Sequence, residues 1–268
     1  MKRERSVIES RRKRILEMME DRPEVRVDEL SEILGVSPIT VRRDLQYLED
    51  NRQLVRFYGG AAPSFSVDER DFEDEVQMYR ALIARYAASL VQDEDTLFIN
   101  TSSTALQIVD YLKEQHVTVI TNNGKALHAD PSPGVNIILT GGELRHPKEA
   151  MVGDFALRNL QNVYAKKTFI GCSGFSLECG MTTENANEVN INQIMAEHSL
   201  ETTYILADHT KIGKNSSFIS CSIDKVTNLI TDEKAPADIC EELRERGITV
   251  HQVSRAGIFK AAADEKNA

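Results

Sequence analysis

No apolar run in this chain approaches the roughly 20 residues that a membrane-crossing helix needs. The opening Met1-Lys2-Arg3-Glu4-Arg5 also lacks the apolar stretch of an export signal. These absences lead us to expect a cytoplasmic protein with no membrane partner. Cysteine is scarce, and Cys172, Cys179, Cys221 and Cys240 stand at spacings that fit no zinc motif. Buried reduced thiols are expected instead, with no metal and no cofactor. No internal repeat or low-complexity segment is found. An excess of basic charge is missing as well: 32 Lys and Arg face 42 Asp and Glu, a net of −10. Such a balance argues against nucleic-acid binding by the chain as a whole. Residues 1–62, however, hold 13 basic against 12 acidic residues (net +1), and the remainder hold 19 against 30 (net −11). The acidity thus belongs to the later part. A length of 268 residues and 41% apolar content suit two globular domains.

What is present begins with Val27 to Leu45. It reads as a helix, a glycine turn at Gly35, and a second helix with Ser37 as its cap and Pro38 at its first position. Two short helices joined in this way form the DNA-reading helix-turn-helix, whose second helix enters the major groove. Val41, Leu45 and Leu48 share one stripe at 100° per residue and should pack inward. Ile39, Arg42, Arg43 and Gln46 cluster on the other side, where arginine reads guanine and glutamine suits adenine. Ser37 and Thr40 complete the expected contact set. Asp44 lies beside the core stripe and is expected to hold a neighbouring helix. Glu9 to Glu20 supplies an earlier helix, and Leu54 to Ala61 reads as a short wing strand ending in a glycine turn. Arg56 and Tyr58 can reach the phosphate backbone from there, and Tyr58 serves equally well as a core residue. A net of +1 is weak for DNA, so binding should depend on where the arginines sit and on a homo-oligomer, a dimer or tetramer.

The expected division is a winged helix-turn-helix over 1–62, a linker over 63–74 and a second domain over 75–268. The second domain opens with a helix between Phe72 and Gln92. Apolar runs then alternate with helical segments: Thr96–Ile99, Val117–Ile120, Val135–Leu139, Thr168–Ile170, Tyr204–Leu206, Val226–Ile230 and Thr249–Val253 against Thr104–Glu114, Asn187–His198 and Pro236–Arg246. This pattern specifies an α/β domain with a mainly parallel sheet. Five strands are followed by small, polar or glycine-rich loops: Asn100–Thr104, Thr121–Gly124, Thr140–Glu143, Gly171–Gly174 and Ala207–Lys211. In an open α/β sheet those ends form the ligand crevice, so a small polar ligand is expected there. Thr101, Ser102, Ser103 and Thr104 place hydroxyls beside the free N–H groups of a helix start, either as a phosphate site or as a plain helix cap. Lys211 faces them from another loop, as a counter-charge or as an ordinary surface lysine.

Ser37-Pro38-Ile39-Thr40-Val41-Arg42-Arg43-Asp44-Leu45 and Gly59-Gly60-Ala61 resemble the DeoR-type bacterial transcriptional regulators of sugar metabolism. Leu139-Thr140-Gly141-Gly142-Glu143-Leu144, Met151-Val152-Gly153, Gly180–Asn185 and Leu206–Gly213 are similar to that family's sensor domain. The resemblance runs from about Arg12 to Val253. It implies a repressor of a carbohydrate-utilisation operon, released from double-stranded operator DNA by a phosphorylated sugar. It also implies a sensor fold similar to ribose-5-phosphate isomerase and glucosamine-6-phosphate deaminase. By that resemblance the phosphate maps to Ser102, Ser103 and Thr104. Gly141, Gly142, Gly174, Asn185, Glu188 and Lys211 would line the sugar pocket, with Ser173 alongside. Five positions depart from the family's pattern: Asn100 stands where aspartate is common, Ser102 where glycine is, Cys172-Ser173 where Ala-Asp is, and Tyr58 where histidine is usual in the wing.

Two other function classes remain to be weighed. A sugar-phosphate isomerase or deaminase with an accessory DNA module would need a positioned general base. Asp208 and Glu188 are the residues available, and Ser173 supplies none. A redox sensor on Cys172 and Cys179 would need a nearby run of Lys or Arg to stabilise a thiolate, and the sequence offers none. The expected reading is therefore a non-enzymatic regulator.

Overall fold

The computed structural model describes residues 2–20, 25–50, 53–57, 59–63, 75–113 and 116–255. By its contacts the chain divides into two units, one built on Met1–Asp68 and the other on Glu69–Val253.

The first unit runs α1 (Lys2–Glu20), β1 (Val25–Arg26), α2 (Val27–Leu34), α3 (Pro38–Asp50), β2 (Leu54–Phe57) and β3 (Gly60–Pro63). Its core is the stripe read from the sequence: Val41, Leu45 and Leu48 pack with Ile15, Met19, Leu30 and Leu54. Gly35 ends α2 with φ 62°, a left-handed conformation in which a β-carbon is disfavoured. The Ser37 hydroxyl accepts from the Thr40 N–H at 3.3 Å and lies 2.9 Å from the Thr40 hydroxyl, which caps α3. The wing differs from the single strand expected. The chain turns at Gly59 and returns as β3, which pairs antiparallel with both β2 and β1. The returning Gly60-Ala61-Ala62-Pro63 carries no alternation of large apolar residues, so it gives no strand signal. Pro63, the expected first linker residue, stands opposite Leu54 in this ladder. Residues 64–74 and Tyr58 lie outside the described residues.

The second unit begins with α4 (Glu75–Ser89) and β4 (Thr96–Ile99), then α5 (Ser103–Leu106), α6 (Ile108–Tyr111), β5 (Val117–Thr121) and β6 (Val135–Leu139). A hairpin of β7 (Glu143–Arg145) and β8 (Ala150–Val152) precedes α7 (Asp154–Leu160), β9 (Ala165–Gly171), β10 (Gly174–Ser176) and β11 (Gly180–Thr183). The rest is α8 (Ala186–Glu197), β12 (Ser199–Leu206), β13 (Phe218–Cys221), β14 (Asn228–Asp232), α9 (Ala237–Glu245) and β15 (Thr249–Val253). Seven strands form one sheet in the order β15-β14-β12-β9-β4-β5-β6, parallel at every pairing. This is the expected parallel sheet. Its apolar runs are buried, with Phe98, Phe169, Ile205, Leu229 and Val250 fully enclosed.

Three expectations shift. The strand expected at Val226–Ile230 runs two residues later, because Ile223–Lys225 forms a 3-10 turn before it. The single helix expected over Thr104–Glu114 is two four-residue helices, and the Asp110 N–H bonds back only to the Gln107 carbonyl. The small antiparallel sheets β10-β11-β13 and β7-β8 were not anticipated. Their strands are short and rich in glycine and serine or charged residues, which leaves no periodic signal.

Strand order fixes where a ligand can sit. From β4 the chain adds β5 and β6 on one side and β9, β12, β14 and β15 on the other. The order therefore reverses between β4 and β9. In such sheets the crevice opens at the carboxyl ends of the two strands flanking the reversal.

Candidate functional site

The exposed side of α3 carries the residues expected to meet DNA. Arg42 and Arg43 are exposed and form no ion pair among the described residues, and Ile39 is 68% exposed. Asp44 is buried and accepts from Arg11 Nε at 2.6 Å and Arg12 Nε at 2.9 Å, so it ties α3 to α1 as expected. The Arg12 guanidinium also lies 3.5 Å over the Tyr47 ring. Gln46 and Arg56 are brought together. Arg56 donates to the Gln46 side-chain oxygen, its backbone N–H donates to Glu49 Oε1 at 3.0 Å, and Gln46 Nε2 donates to Glu49 Oε2 at 3.3 Å. Glu49 thus anchors β2 to α3, and both side chains expected to meet DNA are engaged within the protein.

At the reversal point of the large sheet lies a cavity of about 230 Å3. Thr101, Ser102, Ser103 and Thr104 form one wall, after β4, and Cys172 and Ser173 form another, after β9. Asn100 stitches the two strand ends together. Its side-chain nitrogen donates to the Gly171 carbonyl at 2.9 Å and to Asn192 Oδ1 at 3.0 Å, while its oxygen accepts from the Gly171 N–H at 3.0 Å. An aspartate there would have no donor for the Gly171 carbonyl. Gly171 is needed for close approach, because a β-carbon on it would fall 2.0 Å from the Ser102 hydroxyl.

The Ser102 hydroxyl accepts from the Ala105 N–H at 3.3 Å, so it fills the capping role that the sequence left open. Ser103 is exposed in the cavity wall, and Thr104 is buried there. Lys211 joins from the loop after β12, and Glu188 from α8. Glu188 is 3% exposed; its carboxylate accepts from the Thr183 hydroxyl at 3.1 Å and Asn185 Nδ2 at 3.3 Å, and faces Lys148 Nζ at 3.6 Å. Asn185 caps α8, Gly174 opens β10, and Gly141 and Gly142 link β6 to β7. Those four support neighbouring elements and are not part of the cavity lining among the described residues.

Sequence reading missed Arg80, Lys125, Lys148, Thr183 and Glu184, all of which line the cavity. Lys125 follows the Thr121–Gly124 loop that was singled out and was within reach of that reasoning. Arg80 sits on a helix noted only for its apolar face, and Lys148 in a stretch without periodicity. With Lys211, the lining offers four cations against the two carboxylates Glu184 and Glu188. Lys125 and Lys211 make no salt bridge among the described residues, so the cavity holds uncompensated positive charge beside a row of hydroxyls. Arg80 Nε donates to Asp208 Oδ2 at 2.8 Å. Burial raises the Asp208 pKa, but the bonds from Thr210 and Arg80 outweigh it and hold the carboxyl below its usual range. The Cys172 thiol is pushed up to about 12, chiefly by burial, and therefore stays protonated despite the nearby Lys211. Among the described residues no three His, Cys, Asp or Glu side chains gather as a metal site, and no helix is long and apolar enough to cross a membrane.

The DeoR-like helix-turn-helix domain matches residues 11–65 and the DeoR C-terminal sensor domain matches residues 76–233. Among curated proteins, the chain is 31% identical to a putative aga operon transcriptional repressor of Escherichia coli O157:H7, over 90% of this chain and 92% of that protein. It is also 31% identical to a lactose phosphotransferase system repressor of Staphylococcus aureus (strain N315), over 81% of this chain and 89% of that protein. Among solved structures it is similar to ribose 5-phosphate isomerase A of Methanocaldococcus jannaschii with a TM-score of 0.37 at 14% identity, over 51% of this chain and 54% of that one.

Proposed function

The chain belongs to the DeoR family of helix-turn-helix transcriptional regulators, and from that premise we propose that it represses a carbohydrate-utilisation operon and leaves its operator when a phosphorylated sugar occupies the cavity. Residues 1–63 are assigned to DNA, Pro63 belonging to β3 and not to the linker, with 64–74 as the linker and 75–268 for sensing. The protein acts in the cytoplasm as a dimer or tetramer, since a module of net charge +1 gains little from phosphate contacts alone. Ser37, Ile39, Thr40, Arg42, Arg43 and Gln46 form the reading face, with Arg56 and Tyr58 in the wing.

The observation that carries this reading is the cavity at the sheet reversal. There the Ser103 and Thr104 hydroxyls stand among Arg80, Lys125, Lys148 and Lys211. A phosphate monoester brings a charge of about −1.5 to −2 and three strong acceptors, which this wall complements. Glu188, Thr183 and Glu184 in the same lining supply acceptors and a hydroxyl that suit sugar hydroxyls. The arrangement is poor for enzymatic proton transfer. Asp208 is held ionised by Arg80 and Thr210, and Glu188 is engaged by Thr183, Asn185 and Lys148. The high pKa of Cys172 likewise disfavours redox sensing through that thiol.

Incubating the full chain with a panel of sugar phosphates separates these classes. Saturable binding of one sugar phosphate without turnover is expected, together with loss of affinity for the DNA upstream of the operon. Steady turnover to an isomer or deaminated product would establish the enzyme instead.

A further inference from the structure

We propose that Arg80 is an anion ligand of the cavity, and that its bond to Asp208 makes helix α4 the element through which an occupied cavity acts on the rest of the chain. The proposal rests on reading the cavity as a site for a phosphorylated ligand.

Arg80 lines the cavity although it comes from α4, far in sequence from the loops at the strand ends. Its side chain is 24% exposed, and its Nε is committed to Asp208 Oδ2 at 2.8 Å. The two terminal amino groups have no further partner among the described residues. A guanidinium fixed at Nε with both ends open is a fork suited to two phosphate oxygens. Asp208, 3% exposed, also accepts from the Thr210 N–H at 2.9 Å and from the Thr210 hydroxyl, and its carbonyl accepts from the Lys211 N–H at 2.9 Å. One buried carboxylate therefore positions both Arg80 and the loop that presents Lys211. A phosphate taken by the open amino groups of Arg80 pulls on the same guanidinium whose Nε ties α4 to Asp208.

The neighbouring turn of α4 is held by polar contacts to the same sheet edge. The Tyr79 hydroxyl donates to Glu233 Oε1 at 3.0 Å, its ring meets His209 edge-on at 5.6 Å, and Lys234 pairs with Glu75. These partners follow β12 and β14, as Asp208 does. Polar bonds of this kind can be exchanged without opening the apolar core. In sequence, α4 directly follows residues 64–74, which belong to the expected linker.

Inorganic phosphate titrated onto the full chain, with hydrogen exchange followed over residues 75–89, tests this. In the wild type, saturating phosphate should change exchange in α4. Arg80→Gln should raise the phosphate Kd by about tenfold or more, since a hydrogen bond to a charged group is worth about 1.5–3 kcal/mol. Arg80→Lys keeps the charge but loses the fork, and should fall between the two. Lys125→Gln should weaken phosphate yet leave the α4 response intact at saturation, which separates coupling from mere occupancy. Wild-type phosphate affinity in Arg80→Gln, or in Arg80→Lys if the Gln variant does not fold, overturns the proposal. An α4 that ignores saturating phosphate in the wild type overturns it too. If Ser103→Glu abolishes phosphate binding while Arg80→Gln does not, the phosphorylated-ligand reading stands and only the role of Arg80 falls. A wild type that binds neither phosphate nor any sugar phosphate overturns both.

Discussion

Arg42 and Arg43 are separated from Asp44 by little distance in sequence and by everything in environment. Asp44 is enclosed and engaged by two guanidiniums of α1, whereas the adjacent pair is exposed with no ion pair among the described residues. An Arg42→Ala, Arg43→Ala double variant should therefore lose specific operator binding without touching the thermal transition of the sensing unit. Each lost base contact should cost about 1–3 kcal/mol. A gel-shift titration checks this, and wild-type affinity would remove both residues from the reading face. A second residue gives the sensing unit a pH signature. Burial pushes the His251 pKa down to about 4, with its Nδ1 2.8 Å from the Tyr86 hydroxyl and its Nε2 3.3 Å from Asn228 Oδ1. Between about 4 and 6.5 the unfolded chain binds a proton that the folded chain refuses. Stability contributed here is thus complete above about 6.5 and lost as pH falls towards 4, by about 3 kcal/mol in all. Urea melts across that window should show the slope in the wild type and a reduced one in His251→Gln.

The loop between β4 and α5 shows how an element is shaped by contact as much as by its own sequence. Asn100 binds the end of β9, Ser102 caps α5, and Gly171 leaves room for Ser102 that no other residue would leave. Gly171→Ala should push this loop out of place. It should weaken sugar-phosphate binding at least about tenfold and destabilise the sensing unit by about 1–3 kcal/mol, while operator affinity is retained. Calorimetric titration beside a gel shift would reveal it, and unchanged effector affinity would mean that the loop is not part of the site. Helix caps, the inward stripe of α3 and the apolar runs of the large sheet were legible in the sequence, because each is a local pattern with a fixed period. So was the identity of one cavity wall, since Ser102–Thr104 follow a strand. Arg80 and Lys148 were not legible, because only strand order and the hairpin bring them to that wall. The split of the expected Thr104–Glu114 helix at Gln107 has no local signal.

At the scale of the whole molecule the two units must be coupled, and the coupling has a size. A ligand releases a repressor only by binding the DNA-incompetent state more tightly, and DNA must weaken the ligand by the same factor. Moving the balance from 99:1 to 1:99 takes about 5.5 kcal/mol of that preference. A cavity with four cations and a hydroxyl wall can supply contacts of that order, provided that they differ between the states. The most direct measurement follows the anisotropy of labelled operator DNA bound by the full chain while the inducing sugar phosphate is titrated, for wild type and Ser103→Glu. The variant sets a fixed negative charge where the phosphate belongs. Wild-type protein should be released, whereas Ser103→Glu should bind the DNA equally well and stay bound throughout. Release of both at the same sugar-phosphate concentration would contradict the assignment of this cavity as the controlling site.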